Sequence, residues 1–204
     1  MRTLMAITGV IGTAVGCGLL QFADLGIDPF NALIVGLNNV TPLSYGVVFM
    51  IVTGIMLLVT FILDKSYIGV STLLNLFIFG FVVEYSLAFF LILSPNPSIG
   101  VRSISLIIGL LMISFFVSFY FTAGLGVSAY DALSKIATDK SQLPFRLLRI
   151  TSDLSCVVIG YLLGASIGIA TIVTALLLGP AIEYFNKRVS EPLLNSRKNR
   201  IIVS

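Results

Sequence analysis

The chain has 204 residues, of which 57% are hydrophobic and 10% charged, and its mean hydropathy is +1.08. No soluble domain of this length can bury so much apolar surface, so the composition predicts an all-α polytopic membrane protein. The chain has no histidine, and its two cysteines lie in apolar runs without paired spacing. We therefore expect no metal site, no disulfide framework and no cofactor.

Six apolar runs are each close to the ~20 residues that cross a bilayer. They predict six transmembrane helices at roughly 4–22, 43–63, 68–93, 101–123, 143–163 and 167–186. Two further segments, at 29–39 and 129–139, are helical in pattern but too short to span. Each of them is predicted to be an interfacial or a re-entrant helix.

The two halves of the chain repeat each other. Segment 23–33 returns as 123–133 at a spacing of 100 residues, and segment 68–72 returns as 167–171 at a spacing of 99. Each copy contains three predicted spans, and copies with an odd number of spans must insert in opposite senses. The sequence therefore predicts an inverted 3+3 repeat, an architecture of many small transporters. The units are 1–93, 94–190 and a basic cytoplasmic tail at 191–204.

Basic residues set the orientation. With the N-terminus in the cytoplasm, Arg102 is the only one of the 12 lysines and arginines that falls outside. This distribution predicts a multi-pass membrane protein with both termini cytoplasmic. The net charge of +3 belongs to the same bias. The basic run at 195–200 is interpreted as an anchor to the lipid bilayer, and no nucleic-acid partner is expected.

Polar residues mark the start of each short helix. Asp28 has the character of an N-cap residue followed by a proline, and Ser128 takes the same place in the second half. Asn31 and Asp131 match each other one turn further on. A helix N-terminus within a membrane can receive an anionic or polar solute. In the alternative interpretation, two capped interfacial helices merely complete the fold.

Asp153 is predicted to lie near the middle of the fifth span. A charge there costs on the order of 2.5–3.5 kcal/mol, which makes it a functional candidate by default. Arg149 precedes it by one turn, so a pair between them would give Asp153 a structural role. An unpaired Asp153 would carry a proton or coordinate a cation. Arg146 and Arg149 are long enough to extend back to the cytoplasmic interface, and Asn75 is the next polar candidate for a pore.

Two glutamates recur near the ends of the third and sixth spans. Glu84 and Glu183 occupy equivalent positions in the two copies, and a tyrosine follows each of them. They are either ordinary boundary charges or a pair of carboxylates lining the two gates of a pathway.

Small residues recur at equivalent places as well. Gly26 and Gly126 fit turns that require a positive φ. Thr72 and Thr171 stand at the start of the third span of each half, where each can bond back to its own helix. The glycines Gly9, Gly12 and Gly16 of the first span favour close packing between helices.

Two of these segments resemble motifs of the bacterial YczE/YyaS/YitT family of integral membrane proteins. LGIDPFNAL at 25–33 is similar to the family pattern Gly-x-x-Pro-aromatic-Asp-x-Leu, and IGVST at 68–72 is similar to Ile-Gly-x-Gly-Thr. The resemblance covers about residues 5–188. The chain departs from the pattern at Asn31, Ser71, Ala129 and Ala170. The resemblance implies a membrane protein and, from one member, an accessory role in lipopeptide antibiotic production.

The leading functional hypothesis is a small secondary transporter of the bacterial inner membrane for an unknown small solute. The substrate- or ion-binding candidates are Asp153, Asp28, Asn31, Asp131, Asn75, Glu84 and Glu183. The alternative is a non-transporting accessory protein that supports another complex or a biosynthetic pathway such as lipopeptide production. The expected partners are the lipid bilayer, a small solute, and a second copy of the chain or another membrane protein. We expect no enzyme activity, because the sequence contains no nucleophile paired with a base and no metal-ligand cluster.

Overall fold

The computed structural model describes residues 1–141 and 143–194, apart from the side chains of Phe145 and Arg146. These residues form eight helices. In chain order they are α1 (Arg2–Ala23), α2 (Pro29–Asn39), α3 (Tyr45–Leu63), α4 (Val70–Leu93), α5 (Ile99–Ala123), α6 (Ala129–Ser141), α7 (Phe145–Leu162) and α8 (Ile169–Leu194). A π-helical turn interrupts α4 at Asn75–Phe79. The basic run at 195–200, predicted to be a membrane anchor, lies outside the described residues.

Five of these helices are long and apolar enough to cross a membrane: α1, α3, α4, α5 and α8. Their outward faces carry large apolar side chains such as Ile62 and Ile92, which are more than 70% exposed. Exposed aliphatic surface of this kind is stable only against lipid, so the chain is a membrane protein. The predicted fifth span corresponds to α7, an 18-residue helix that carries two arginines and Asp153.

Helix α1 lies at the centre of the bundle and packs along α5 and α4. The ring of Phe116 lies directly over Gly12, where a Cβ atom would collide with it. A Cβ at Gly9 would come within 2.8 Å of the backbone nitrogen of Tyr120. The predicted packing role of these glycines is confirmed, because only a small residue allows the two helices to approach so closely.

Each half of the chain completes the start of a long helix in the other half. The carbonyl of Leu25, after α1, accepts the N–H of Ala170 at 3.0 Å, near the start of α8. The carbonyl of Leu125, after α5, accepts the N–H of Ser71 at 2.9 Å, near the start of α4. The first N–H groups of a helix have no partner within it, so these reciprocal bonds satisfy groups that would otherwise be costly to bury.

The glycines in these two loops have the predicted positive φ, at +106° for Gly26 and +102° for Gly126. A Cβ on either glycine would lie 2.6 Å from the backbone nitrogen of the opposing Gly168 or Gly69. Thr72 accepts the N–H of Gly69 at 3.1 Å, and its repeat counterpart makes the same bond at 3.4 Å. The predicted turns and helix-start bonds are therefore confirmed in both halves.

The short helices α2 and α6 begin in the interior of the bundle and diverge from there. Near their starts, the rings of Phe30 and Tyr130 stack with centroids 4.8 Å apart. At the other end of α2, the Asn39 amide donates to the carbonyl of Gly164 at 3.0 Å, just beyond the end of α7. At the other end of α6, Asp139 accepts a 2.8 Å hydrogen bond from the turn that follows α3.

Candidate functional site

Two adjoining cavities of about 140 Å³ and 440 Å³ lie where α2 and α6 begin. We call them the smaller and the larger cavity, and together the central chamber. Six residues line both cavities: Asp28, Phe30, Phe121, Asp131, Arg149 and Leu178. Concave sites with mainly apolar walls and a few converging polar groups are typical of small-molecule sites.

The start of α2 supplies the first carboxylate of the chamber. Asp28 accepts the backbone N–H of Asn31 at 3.2 Å and its side-chain amide N–H at 2.6 Å. The oxygen of the same amide accepts a hydrogen bond from the hydroxyl of Tyr45. The predicted N-cap role of Asp28 is confirmed, and the cap is fixed by a side chain from α3.

At the start of α6 the cap residue and the residue one turn inside are again hydrogen-bonded, but here the carboxylate is the inner residue and not the cap. The Ser128 hydroxyl accepts the backbone N–H of Asp131 at 3.1 Å and donates to the Asp131 carboxylate at 2.8 Å. The predicted cap at Ser128 is therefore confirmed. The carboxylate stands at the cap position in the first half and one turn inside the helix in the second half. This one-turn shift brings Asp131 within reach of α7.

Arg149 of α7 joins the two carboxylates of the second half. Its guanidinium forms an ion pair with Asp131 and a second one with Asp153, with Nε 3.3 Å from Oδ1. It also lies over the Tyr130 ring, 4.4 Å from the centroid, and the Tyr130 hydroxyl donates to Asp153 at 2.7 Å. Arg149 thus faces the chamber, and the predicted one-turn pair with Asp153, the alternative that gives Asp153 a structural role, is formed. Turned outward, it would leave two partly buried carboxylates without a cation.

The charges of the chamber do not balance. Asp28, Asp131 and Asp153 line it together with Arg149 and Lys135. Asp131 and Asp153 share one guanidinium, whereas Asp28 has only neutral hydrogen-bond partners and no ion pair among the described residues. Nowhere in the described part of the chain are three or more His, Cys, Asp or Glu side chains placed close enough together to hold one metal ion. Asp28 is thus the carboxylate of the chamber that forms no ion pair among the described residues.

The smaller cavity also carries polar groups with unused hydrogen-bonding capacity. Thr53 and Tyr120 are only 2% and 6% exposed, and their hydroxyls have no partner among the described residues. Asn75 lines the same cavity from the π-helical turn of α4, a feature frequent at functional sites. Asn75 was a predicted candidate. Sequence reasoning missed Thr53 and Tyr120, because a threonine and a tyrosine in apolar helices carry no distinctive pattern.

The structure places the two candidate gate residues outside the chamber. Glu84 accepts the backbone N–H of Gly46 at 2.9 Å and so caps the start of α3 from a neighbouring helix. Glu183 is exposed and forms an ion pair with Lys187 one turn later, at 2.6 Å. Asp153, Asp28, Asn31, Asp131 and Asn75 line the chamber. Arg149 and Tyr130, which complete it, were not among the predicted site residues.

Comparison with known proteins gives relatives of similar length. The chain is 27% identical to an uncharacterized protein of Haemophilus influenzae over 84% of this chain and 77% of the relative. It is 26% identical to the uncharacterized membrane protein YczE of Bacillus subtilis, over 90% of this chain and 85% of YczE. It is 27% identical to the uncharacterized protein YyaS of the same organism, over 94% of both chains.

No solved structure matches the chain. The relatives YczE and YyaS bear out the resemblance given by the LGIDPFNAL and IGVST motifs. Residues 1–187 match a family described as a family of unknown function, DUF6198. Since this match extends over nearly the whole length, the chain belongs to the DUF6198 family.

Proposed function

We propose that the protein is a small secondary transporter of the bacterial inner membrane, with the central chamber as its solute site. The observation that carries the proposal is the convergence of Asp28, Asp131 and Asp153 on one chamber. One of these carboxylates comes from the first half of the chain and two from the second. Transporters built from repeats bind their solutes at the interface between the repeats, near discontinuous helices.

The proposal includes six spans in an inverted 3+3 repeat, with α7 as the sixth. An 18-residue helix rises roughly 27 Å, close to the ~30 Å of a hydrocarbon core. The charged side chains Arg149 and Asp153 face the chamber and each other. Polar groups within a span are tolerated in this position, because they face protein and not lipid.

The short helices fit the re-entrant alternative better than the interfacial one. The 11 residues of α2 rise roughly 16 Å, about half of the ~30 Å core. At its start, Phe30 stacks on Tyr130, whose hydroxyl donates to Asp153 in the middle of α7, and at its end Asn39 donates to Gly164, just beyond α7. In this arrangement, the loop before each short helix enters the bilayer to about half of its depth. The helix then runs back to the membrane face at which that loop began. Asp28 and Asp131 then lie near the bilayer midplane.

Under the proposed orientation, the larger cavity lies on the cytoplasmic side. It extends along α6 to Lys135 and along α8 to Ile182, both toward the cytoplasmic ends of their helices. On the other side, the hydrogen-bonded pair of Asn31 and Tyr45 covers the chamber. Access would alternate by a movement that closes the larger cavity and separates this pair.

Solute counterflow in proteoliposomes tests the proposal. The purified chain is reconstituted and loaded with a panel of small cations, anions and neutral solutes, each paired with its labelled form outside. We expect accumulation of one class, loss of that signal in Asp131→Asn, and an unchanged signal in Asp24→Asn. Asp24 is a suitable control because it pairs with Arg102 outside the chamber.

The proposal fails if no solute of the panel moves and crosslinking in cells recovers a partner in fixed stoichiometry. That result would favour the accessory role. Equal transport by the wild type and Asp131→Asn would also overturn the assignment of the chamber as the solute site.

A further inference from the structure

We propose that the smaller cavity binds a small organic cation, an ammonium group on an apolar body, with Asp28 as its counter-ion. The inference rests on the proposed transport function and names the substrate class of the same site.

The charge balance favours a cation over an anion. An anion would require free positive ends, but Asp28 already caps α2 and Ser128 already caps α6. Arg149 is engaged by two carboxylates. A cation, in contrast, meets a carboxylate that has no ion pair among the described residues. Such a cation would give Asp28 an ion pair like the one that Arg149 gives Asp131.

The walls of the smaller cavity suit the apolar body of such a ligand. Aromatic rings line it from several helices: Phe30, Phe49, Phe79, Tyr120, Phe121 and Tyr130. The faces of aromatic rings attract cations as well as apolar groups. Arg149 over the Tyr130 ring already shows this contact within the chamber.

The unpartnered polar groups are acceptors for the remaining ammonium hydrogens. An ammonium group has three N–H donors and no acceptor. The Asp28 carboxylate can take one of them. The oxygens of Thr53 and Tyr120, buried in the cavity wall without a partner among the described residues, and of the Asn75 amide can take the others. These side chains approach the cavity from α3, α5 and α4, so a ligand bonded to them would bridge both halves of the chain.

The volume limits the size of the ligand. The smaller cavity measures about 140 Å³. A protein cavity of about 150 Å³ holds benzene. The body of the cation is therefore expected to be about one six-membered ring in size, with any longer substituent extending into the larger cavity.

Isothermal titration calorimetry on the detergent-purified chain tests this inference. Benzylammonium is the probe, and benzyl alcohol and benzoate are its neutral and anionic counterparts. We expect benzylammonium to bind most tightly. Asp28→Asn should weaken its binding about tenfold or more, because a charge-assisted hydrogen bond is lost while asparagine still caps the helix. Thr53→Val should weaken it severalfold, and Asp24→Asn, outside the chamber, should leave it unchanged.

The inference is overturned if benzoate or benzyl alcohol binds as tightly as benzylammonium, or if Asp28→Asn binds it like the wild type. A circular-dichroism spectrum and a melting curve of Asp28→Asn verify that the variant is folded. Binding that depends on Asp28, without counterflow of any solute, would support the site and refute transport. Counterflow of neutral or anionic solutes alone would support transport and refute the cation.

Discussion

The ion pair between Arg149 and Asp131 should hold the second half of the chamber together, and a double-mutant cycle can measure this contribution. Arg149→Gln removes the cation and leaves two carboxylates unpaired, so it should destabilise the fold more than Asp131→Asn does. In the double variant, Asp153 is the one carboxylate that has lost its cation. Its free energy of unfolding should therefore be higher than the sum of the two single effects predicts.

The expected coupling follows from the geometry and the burial. A hydrogen bond between charged groups contributes about 1.5–3 kcal/mol when it is buried, and an exposed ion pair about 0.2–1 kcal/mol. The side chains of Arg149 and Asp131 are 33% and 19% exposed, so they are mostly but not fully shielded. We expect a coupling free energy of about 1.5–2 kcal/mol, near the lower end of the buried range. Arg149→Lys should retain part of it, because lysine keeps the charge but loses the planar fork.

Reversible unfolding in mixed micelles of a mild detergent and sodium dodecyl sulfate provides the measurement. The pair of Arg102 and Asp24 serves as a matched control within the same chain. Its atoms approach to 3.2 Å, but its side chains are 33% and 55% exposed. Its coupling should stay below about 1 kcal/mol. If the two cycles give equal coupling energies, the reasoning that places Arg149 in a shielded network is refuted.

Three further predictions address the cavity, the loops and the orientation. Thr53→Val should leave the melting temperature unchanged or raise it, because the hydroxyl has no partner among the described residues; a clear drop would reveal a hidden partner. Gly126→Ala should destabilise the fold by about 2 kcal/mol or more, since φ is +102° and the Cβ would lie 2.6 Å from a backbone nitrogen; wild-type stability would contradict this. In intact cells, a membrane-impermeant maleimide should label Asn96→Cys but not Ser66→Cys, both exposed positions, and the opposite pattern would reverse the proposed orientation.

The helices were predictable from the sequence because their signals are local. Apolar runs of about 20 residues gave spans that end within a few residues of the observed helices, except that α8 continues to Leu194. Asp28 and Ser128 predicted the starts of α2 and α6, because an N-cap side chain accepts a backbone N–H within the first turn of its own helix. The glycines with positive φ were recognisable because each stands in a repeated loop motif.

The partners within the chamber were less predictable, because they depend on how separate helices meet. Arg149 and Asp153 were recognised as a possible pair at one-turn spacing, but the second carboxylate that Arg149 binds, Asp131, comes from α6. Glu84 recurs in the repeat like a functional residue, yet its partner is the backbone of Gly46 in α3. No periodicity or motif encodes such contacts between helices.

The difference between the two halves of the repeat gives the chamber its asymmetry. Each half begins its short helix with one hydrogen-bonded pair, but the carboxylate is at the cap in the first half and one turn inside in the second. Helix α7 supplies Arg149 to the second carboxylate, whereas α3, its repeat counterpart, contains no charged residue. In the second half, Asp131 is therefore held in an ion pair with Arg149, whereas in the first half Asp28 faces the cavity without an ion pair among the described residues. In the proposed function, a solute cation at Asp28 would give the first half an ion pair like the one that Arg149 gives Asp131, and its release would remove that pair. Solute binding would then change the net charge of the chamber. A ligand shifts a conformational equilibrium only by interacting differently with the two conformations, and such a change in charge is one source of that difference.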